Sequence, residues 1–239
     1  MKIIYYSESY GSKKEKRAQK VMNIGRLFFI TLILLYLIYS LQVSTNYWII
    51  FTGLILIIVF LLKNKDYQWI KSRLSSYRKG ISGETLVIEK LKYHFDDSYT
   101  YVANYSNPAV CLGDIDGIFV GPKGLFLIEI KSWKGRFRMF GDEICRRISN
   151  DLYRVYKSPI KQLDDNRIKL NKYLNSRGLL IKCRPFVVLV DGKIENFNGS
   201  TGIFITNPEK IVQEILSSPD HNLSSKQIDE ILSILKITN

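Results

Sequence analysis

Two hydrophobic patterns divide the chain. Residues 27–43 and 47–62 contain no charged side chain, and Ser44, Thr45 and Asn46 make a short polar break between them. Beyond Ile81 the apolar positions become periodic instead. Leu86, Val87, Leu91 and Phe95 recur at helical spacing behind a capping Ser82. Short β-like runs follow at 100–104, 115–120 and 125–130, and residues 136–140 and 143–147 read as a hairpin turning at Gly141 and Asp142. Ser158 and Pro159 signal a second helix, with Ile160, Leu163, Leu170 and Leu174 on one face. The run 185–190 is continuous and β-branched, the mark of a strand covered on both faces. A strand at 202–206, a helix opened by Asn207 and Pro208 and running to Leu216, and a last helix at 224–237 complete the series. Strands in the middle with helices before and after predict a small α/β domain with a mixed sheet over residues 81–239.

The uncharged runs are 17 and 16 residues long, slightly short of the ~20 that span a bilayer. Interfacial Tyr39, Tyr47 and Trp48, with Arg26 and Lys63 snorkelling, extend their effective length. The expectation is a tight transmembrane helical hairpin at 27–62; the alternative is a pair of buried helices in a soluble fold. The net charge of +13 invites a nucleic-acid reading, but its distribution redirects it. Residues 1–26 hold seven Lys and Arg against two acids, and residues 63–80 hold six against one, +5 in each case. Residues 81–239 keep 22 against 19, only +3. The excess flanks the hydrophobic runs, as the positive-inside rule asks of cytoplasmic ends. The sequence thus predicts a basic cytoplasmic N-terminal segment at 1–26 and a basic juxtamembrane linker at 63–80. It predicts a two-span cell-membrane protein with both termini and the 81–239 domain cytoplasmic, its membrane partner being lipid held by residues 27–62 and the basic flanks. The hydrophobic region starts too late and is too long for a signal peptide. Cys111, Cys145 and Cys183 are scattered, which suits free thiols and gives no zinc spacing. His94 and His221 are too few for histidine-based chemistry, and His94 beside Tyr93 and Phe95 suits packing or surface.

One stretch carries chemistry: "GDIDGIFVGPKGLFLIEIKSWKG", residues 113–135. Pro122 and Gly124 stand where a type I turn prefers them, so the runs 115–120 and 125–130 form a hairpin. With the turn centred between Pro122 and Lys123, opposed residue numbers sum to 245. Asp116 then faces Glu129, Asp114 faces Lys131, and all four project from one side. A slip of one residue would undo this. Directly opposed carboxylates destabilise a sheet unless a cation neutralises them, and two hard carboxylates beside water suit Mg²⁺ or Mn²⁺. Lys131 is placed to hold developing charge on a phosphate, so the set fits metal-assisted phosphodiester hydrolysis. An isolated E-x-K is more often a strand end reaching solvent; the preceding aspartate hairpin separates this case from that one. Glu84 lies in the first turn of its helix, where the helix dipole alone would favour it.

The same residues resemble the core of the NERD (nuclease-related) domain, a branch of the PD-(D/E)XK nuclease superfamily. The likeness extends to "GISGETLV" upstream and "SPIKQLDDNRIKLNKYL" downstream, covering residues 81–174 well and the part beyond Arg184 loosely. It implies a restriction-endonuclease-like mixed sheet flanked by helices. It also implies that Glu84, Asp116, Glu129 and Lys131 are the catalytic and metal-binding set, with Gln162 a supporting polar residue. Asp114 is a further ligand or a turn residue, ranked below Asp116, and Trp133 and Gly135 match in packing roles. The function expected is a membrane-anchored cytoplasmic Mg²⁺-dependent nuclease acting on DNA, with RNA left open. The rival is a membrane-tethered nucleic-acid-binding or sensing module without significant cleavage. A purely structural membrane protein is the least economical reading, because the whole acidic-plus-lysine set is retained.

Overall fold

The computed structural model describes the chain except residues 8–9, 43–50, 52, 56–57, 59–64, 112, 142, 150–152, 156–158, 197–201, 220–221 and 238–239. Its elements run β1 (Lys2–Tyr5), α1 (Tyr10–Gln42), α2 (Lys65–His94), β2 (Thr100–Tyr105), β3 (Ile115–Gly121), β4 (Gly124–Lys131), β5 (Gly135–Phe140), β6 (Glu143–Arg147) and β7 (Tyr153–Val155). Then come α3 (Ile160–Asn175), β8 (Arg184–Leu189), β9 (Gly192–Asn196), β10 (Phe204–Thr206), α4 (Ile211–Leu216) and α5 (Ser225–Ile234). Two compact units emerge, Gly11–Lys79 and Met1–Tyr10 with Gly80–Asn239.

Gly11–Lys79 holds most of α1 and the first half of α2. Arg78 Nε donates to Glu15 Oε1 at 2.9 Å, and the Arg73 guanidinium lies 5.1 Å from the Trp69 ring centroid. Among the described residues no helix is long and apolar enough to cross a membrane. That overturns the expected hairpin, and with it the two-span cell-membrane localisation and its cytoplasmic orientation. The physical reason lies in α1, whose first half carries Lys13, Lys14, Lys16, Arg17 and Lys20. Its apolar part, residues 27–42, is 16 residues or about 24 Å of helix, against the ~30 Å of a hydrocarbon core. The polar break at 44–46 and eleven of the 16 residues of the second run lie outside the described residues.

The other unit is an α/β fold with a mixed sheet flanked by helices. Its main sheet has the order β1-β2-β3-β4-β8-β10. Proline and glycine in the 121–124 turn bring β3 and β4 together antiparallel, from Gly117 opposite Ile128 to Gly121 opposite Gly124. The numbers of every pair in this ladder sum to 245, the register that the turn chemistry predicts. β8 adds in parallel on the far side of β4, and all but its first residue is buried, as its continuous apolar run requires. Strand alternation then sorts the core into two layers. Phe119, Phe126 and Phe186 pack with Val87, Leu91 and Phe95 of α2 and Ile211 and Ile215 of α4. Leu125, Leu127 and Val187 pack on the other face with Leu163, Leu170 and Leu174 of α3 and Ile228 and Ile231 of α5.

Several elements differ from expectation. The first domain helix does not start at Ser82, because α2 runs unbroken from Lys65. Pro159 is the N-cap of α3 rather than its first residue, and Ser158 lies outside the described residues. Ser224 does cap the last helix, in a capping box with Gln227. The expected hairpin of β5 and β6 forms, with Phe140 opposite Glu143, and extends into a second sheet of order β7-β6-β5-β9. Cys111, Cys145 and Cys183 are buried free thiols. Phe126 anchors the aromatic layer, its ring centroid 6.2 Å from Phe119 and 5.9 Å from Phe186. Phe126→Ala should lower stability by about 3–5 kcal/mol in urea titrations; a loss below ~1 kcal/mol would show that this layer relaxes into the space.

Candidate active site

The cluster forms where the β3–β4 ladder runs out. Asp116 follows Gly117 towards the start of β3, and its side-chain oxygen Oδ2 accepts the backbone N–H of Ile130 at 2.8 Å. A side chain thus meets the β4 amide just beyond the last paired residues. Glu129 and Lys131, two residues apart on β4, share one face. Lys131 Nζ lies 2.5 Å from Glu129 Oε1 and 3.9 Å from Asp116 Oδ2. Glu129 is 3% exposed, whereas Asp116 and Lys131 keep 23% and 29% of their side chains open.

Glu84 joins from α2, and Gly83 makes this possible. A Cβ at Gly83 would stand 2.2 Å from Ser132 Oγ and 3.2 Å from Val190 Cγ2, so glycine lets α2 come this close to the ends of β4 and β8 without moving those side chains. Glu84 is thereby brought within the field of Asp116 and Lys131. Burial, then the charge of Asp116, lifts its carboxyl to about 7, with Lys131 opposing. Burial and then Asp116 do the same to Glu129, again to about 7 and again against Lys131. Asp116 is also raised, by burial, despite Lys131 and the Ile130 amide. For Lys131 burial favours the neutral amine, but Glu129 and Asp116 outweigh it and hold the ammonium above the usual lysine range. Lys131 is therefore a fixed cation at neutral pH.

Tyr101 is a component that the sequence reading missed. Its hydroxyl donates to the Asp116 backbone oxygen at 3.5 Å, and burial followed by the Asp116 charge pushes its pKa well up, so it stays protonated. Gly117 leaves the space it needs, since a Cβ there would stand 2.1 Å from the hydroxyl. The available signal was the glycine inside an otherwise β-branched strand, which marks a close approach by another group. Asp114 precedes β3, half-buried, and its charge raises Asp116. Gln162 is exposed in the first turn of α3, outside the bonds and ion pairs that join the cluster. Trp133 packs against the core with its ring 5.8 Å from Phe137, in the packing role expected of it.

With this geometry in hand, the comparisons become informative. Residues 79–190 match the NERD nuclease-related domain. The matched residues are just under half of the chain and include Glu84, Asp116, Glu129, Lys131 and Gln162. A nuclease-related function and nucleic-acid binding are what such a domain suggests. No curated protein matches the chain. Among solved structures, the crystal structure of protein VC1899 from Vibrio cholerae is similar at 14% identity with a TM-score of 0.31, over 71% of this chain and 37% of that one. The chain spans little more than a third of that protein's length, and a likeness at this level decides nothing.

Among the described residues no three His, Cys, Asp or Glu stand as a ready metal cage. The donor chemistry nevertheless fits a divalent cation. Glu84, Asp116 and Glu129 face the single ammonium of Lys131, so full ionisation would leave two negative charges uncompensated. The raised carboxyl pKa values come first from burial, to which the neighbouring carboxylate charge adds for Glu84 and Glu129. They also set a pH dependence. The Glu84 and Glu129 carboxyls are lifted to about 7 in the folded chain from the ordinary glutamate value of 4.5, so between those values the folded chain holds more protons and stability falls as pH rises. In chelator, Glu84→Gln should flatten that fall and gain on the order of 1 kcal/mol at about pH 8 relative to about pH 5. Urea titrations at the two pH values check this, and an unchanged pH slope would detach Glu84 from the cluster.

Proposed function

We propose that this chain is a metal-dependent nuclease that hydrolyses phosphodiester bonds of DNA, on a restriction-endonuclease-like sheet. The observation that carries the reading is the convergence of Asp116, Glu129 and Lys131 at the open end of β3–β4, with Glu84 delivered by α2. Asp116 and Glu129 would hold Mg²⁺ or Mn²⁺, and Glu84 would hold a second ion or a bridging water. The ion, when bound, supplies Lewis-acid activation of water and neutralises charge at phosphorus.

The protein's own residues have separable tasks. The Ile130 N–H bond fixes one oxygen of Asp116, so that carboxylate is oriented before any ligand arrives. Tyr101, held protonated, fixes the Asp116 main chain from the other side. Lys131 stays charged, which excludes it as a general base near pH 7 and leaves it to stabilise negative charge growing on the phosphate oxygens. Glu84, with a carboxyl near 7, can take or release a proton at working pH.

The second reading, a nucleic-acid-binding module without cleavage, draws on one observation. Lys131 sits directly on Glu129, and no three-ligand cage is formed among the described residues. Assays on the full chain separate the two. Single- and double-stranded DNA and RNA are incubated with and without Mg²⁺ or Mn²⁺. Cleavage of DNA by the parent is expected in metal, with Lys131→Ala slower by about 10² or more in single-turnover rate at near-normal DNA affinity. Calorimetry should find metal binding that Asp116→Ala abolishes. A folded, metal-binding parent that cuts no nucleic acid hands the case to the binding module; a Lys131→Ala chain as fast as the parent removes the lysine from the chemistry.

A further inference from the structure

The second sheet starts where the cluster sits. Only Ser132, Trp133 and Lys134 separate Lys131 from β5, and β9 begins opposite β5 at Gly135 and Gly192, shortly after β8 ends at Leu189 beside Lys131. Its four strands carry six Lys and Arg against two Glu, a net of +4. Residues 81–239 as a whole carry only +3, so outside these strands the remainder is slightly acidic. The modest overall charge therefore conceals a concentrated one.

Alternation divides it between the two sides: Arg146 stands opposite Phe137, so the side away from Phe137 and Met139 carries Arg136, Arg138, Arg147 and Lys193 against Glu143 and Glu195, a net of +2. Phe137 and Met139 are buried against the core, so Arg136, Arg138 and Phe140 lie on the opposite face. Arg147 and Tyr153 are paired across β6 and β7, and Lys193 is paired with Arg136 across β9 and β5. The Arg138 guanidinium stands 4.9 Å from the Tyr153 ring centroid and 6.0 Å from that of Phe140, which is 50% exposed. Arg136 and Arg147 share one carboxylate, Glu195, at 3.6 Å and 2.9 Å. Glu143, opposite Phe140, is the other acid of these strands. Nε of Arg138 is buried and has no hydrogen-bond partner among the described residues.

We infer that this face of the second sheet is the surface that holds the substrate's phosphodiester backbone, leading it to the carboxylates at the end of β4. Guanidiniums supply bidentate donors to phosphate, and an exposed ring flanked by arginine supplies a platform for a base. The identity of the ligand rests on the nuclease reading above; the location of the surface rests on charge, register and the exposed ring of Phe140 beside Arg138.

The test measures binding without cutting. Fluorescein-labelled single-stranded and duplex DNA are titrated with the full chain in EDTA, and anisotropy is followed over a range of salt. Arg136→Glu/Lys193→Glu should weaken both complexes by about tenfold or more and make the slope of log K against log salt shallower by roughly 1.5. Lys172→Glu/Lys226→Glu changes the net charge equally at exposed positions of α3 and α5 and should stay within about twofold of the parent. Arg136→Gln/Lys193→Gln, checked for folding by circular dichroism, gives a milder loss of the same sign. Equal losses in the two Glu pairs, no loss in the first, or a parent that binds no DNA each overturn the inference. Cleavage in Mg²⁺ is scored separately. A parent that cuts while the Arg136 pair binds normally overturns this surface alone, whereas loss in that pair without any cutting by the parent sustains the surface and overturns the nuclease.

Discussion

Burial of a carboxylate as deeply as Glu129, 3% exposed in a strand packed on both faces, disfavours its charged form, and only a neighbouring cation offsets that cost. Lys131 at 2.5 Å is that cation, and the position of everything else at the sheet's end follows from it. Lys131 must lie one pleat beyond Glu129 to share its face, so β4 has to continue while β3 gives way. Asp116 fills the opening, facing the ammonium while its oxygen serves the Ile130 amide. A third carboxylate, Glu84, then meets an already crowded field and answers by holding its proton to about 7. The site is thus under electrostatic tension without any distortion of the backbone, and that tension is what a ligand cation or a substrate could relieve.

Much of this arrangement could be read in the sequence, and for a definite reason. The turn at Pro122 and Lys123 has one sensible geometry, and a fixed turn centre fixes the register of both strands, so the side shared by Asp116, Glu129 and Lys131 followed by counting. What counting could not supply was the Asp116 bond to Ile130, which depends on the strands parting, or the approach of Glu84, which depends on Gly83 reaching Ser132. Ser82 has the chemistry of a helix cap, yet α2 passes straight through it, because packing outweighs the propensity of a single residue. β1, β7 and β9 are three to five residues long, too short for alternation to stand out. Residues 27–62 mislead in the other direction: two uncharged runs with aromatic and basic flanks fit a short span, yet α1 carries Lys13, Lys14, Lys16, Arg17 and Lys20 in its first half and only 16 uncharged residues after Arg26.

The region that matches the nuclease-related domain ends at residue 190, yet the unit that holds the site does not. β10 extends the main sheet beyond β8, β9 joins β5, and α4 and α5 each cover one face of the core. Val187 and Val188 of β8 are buried in the two clusters to which α5 and α4 contribute. Since β8 is the parallel neighbour that holds Glu129 and Lys131 in line, the C-terminal elements support the site without contributing a group to it.

The first strand raises a different matter. β1 lies parallel to β2, Lys2 opposite Thr100 through Tyr5 opposite Ala103, although the chain places all of Gly11–Lys79 between them. β2 is buried at every position, and β1 covers its outer edge. Trimming the protein from its N-terminus to isolate the matched region would strip that cover and leave the main-chain donors and acceptors of residues 100–103 open. An uncovered edge of that kind recruits a strand from another molecule. Clumping of such a fragment would then report a missing four-residue strand rather than an unstable core, and splicing Lys2–Tyr5 back ahead of α2 through a flexible linker would be the remedy.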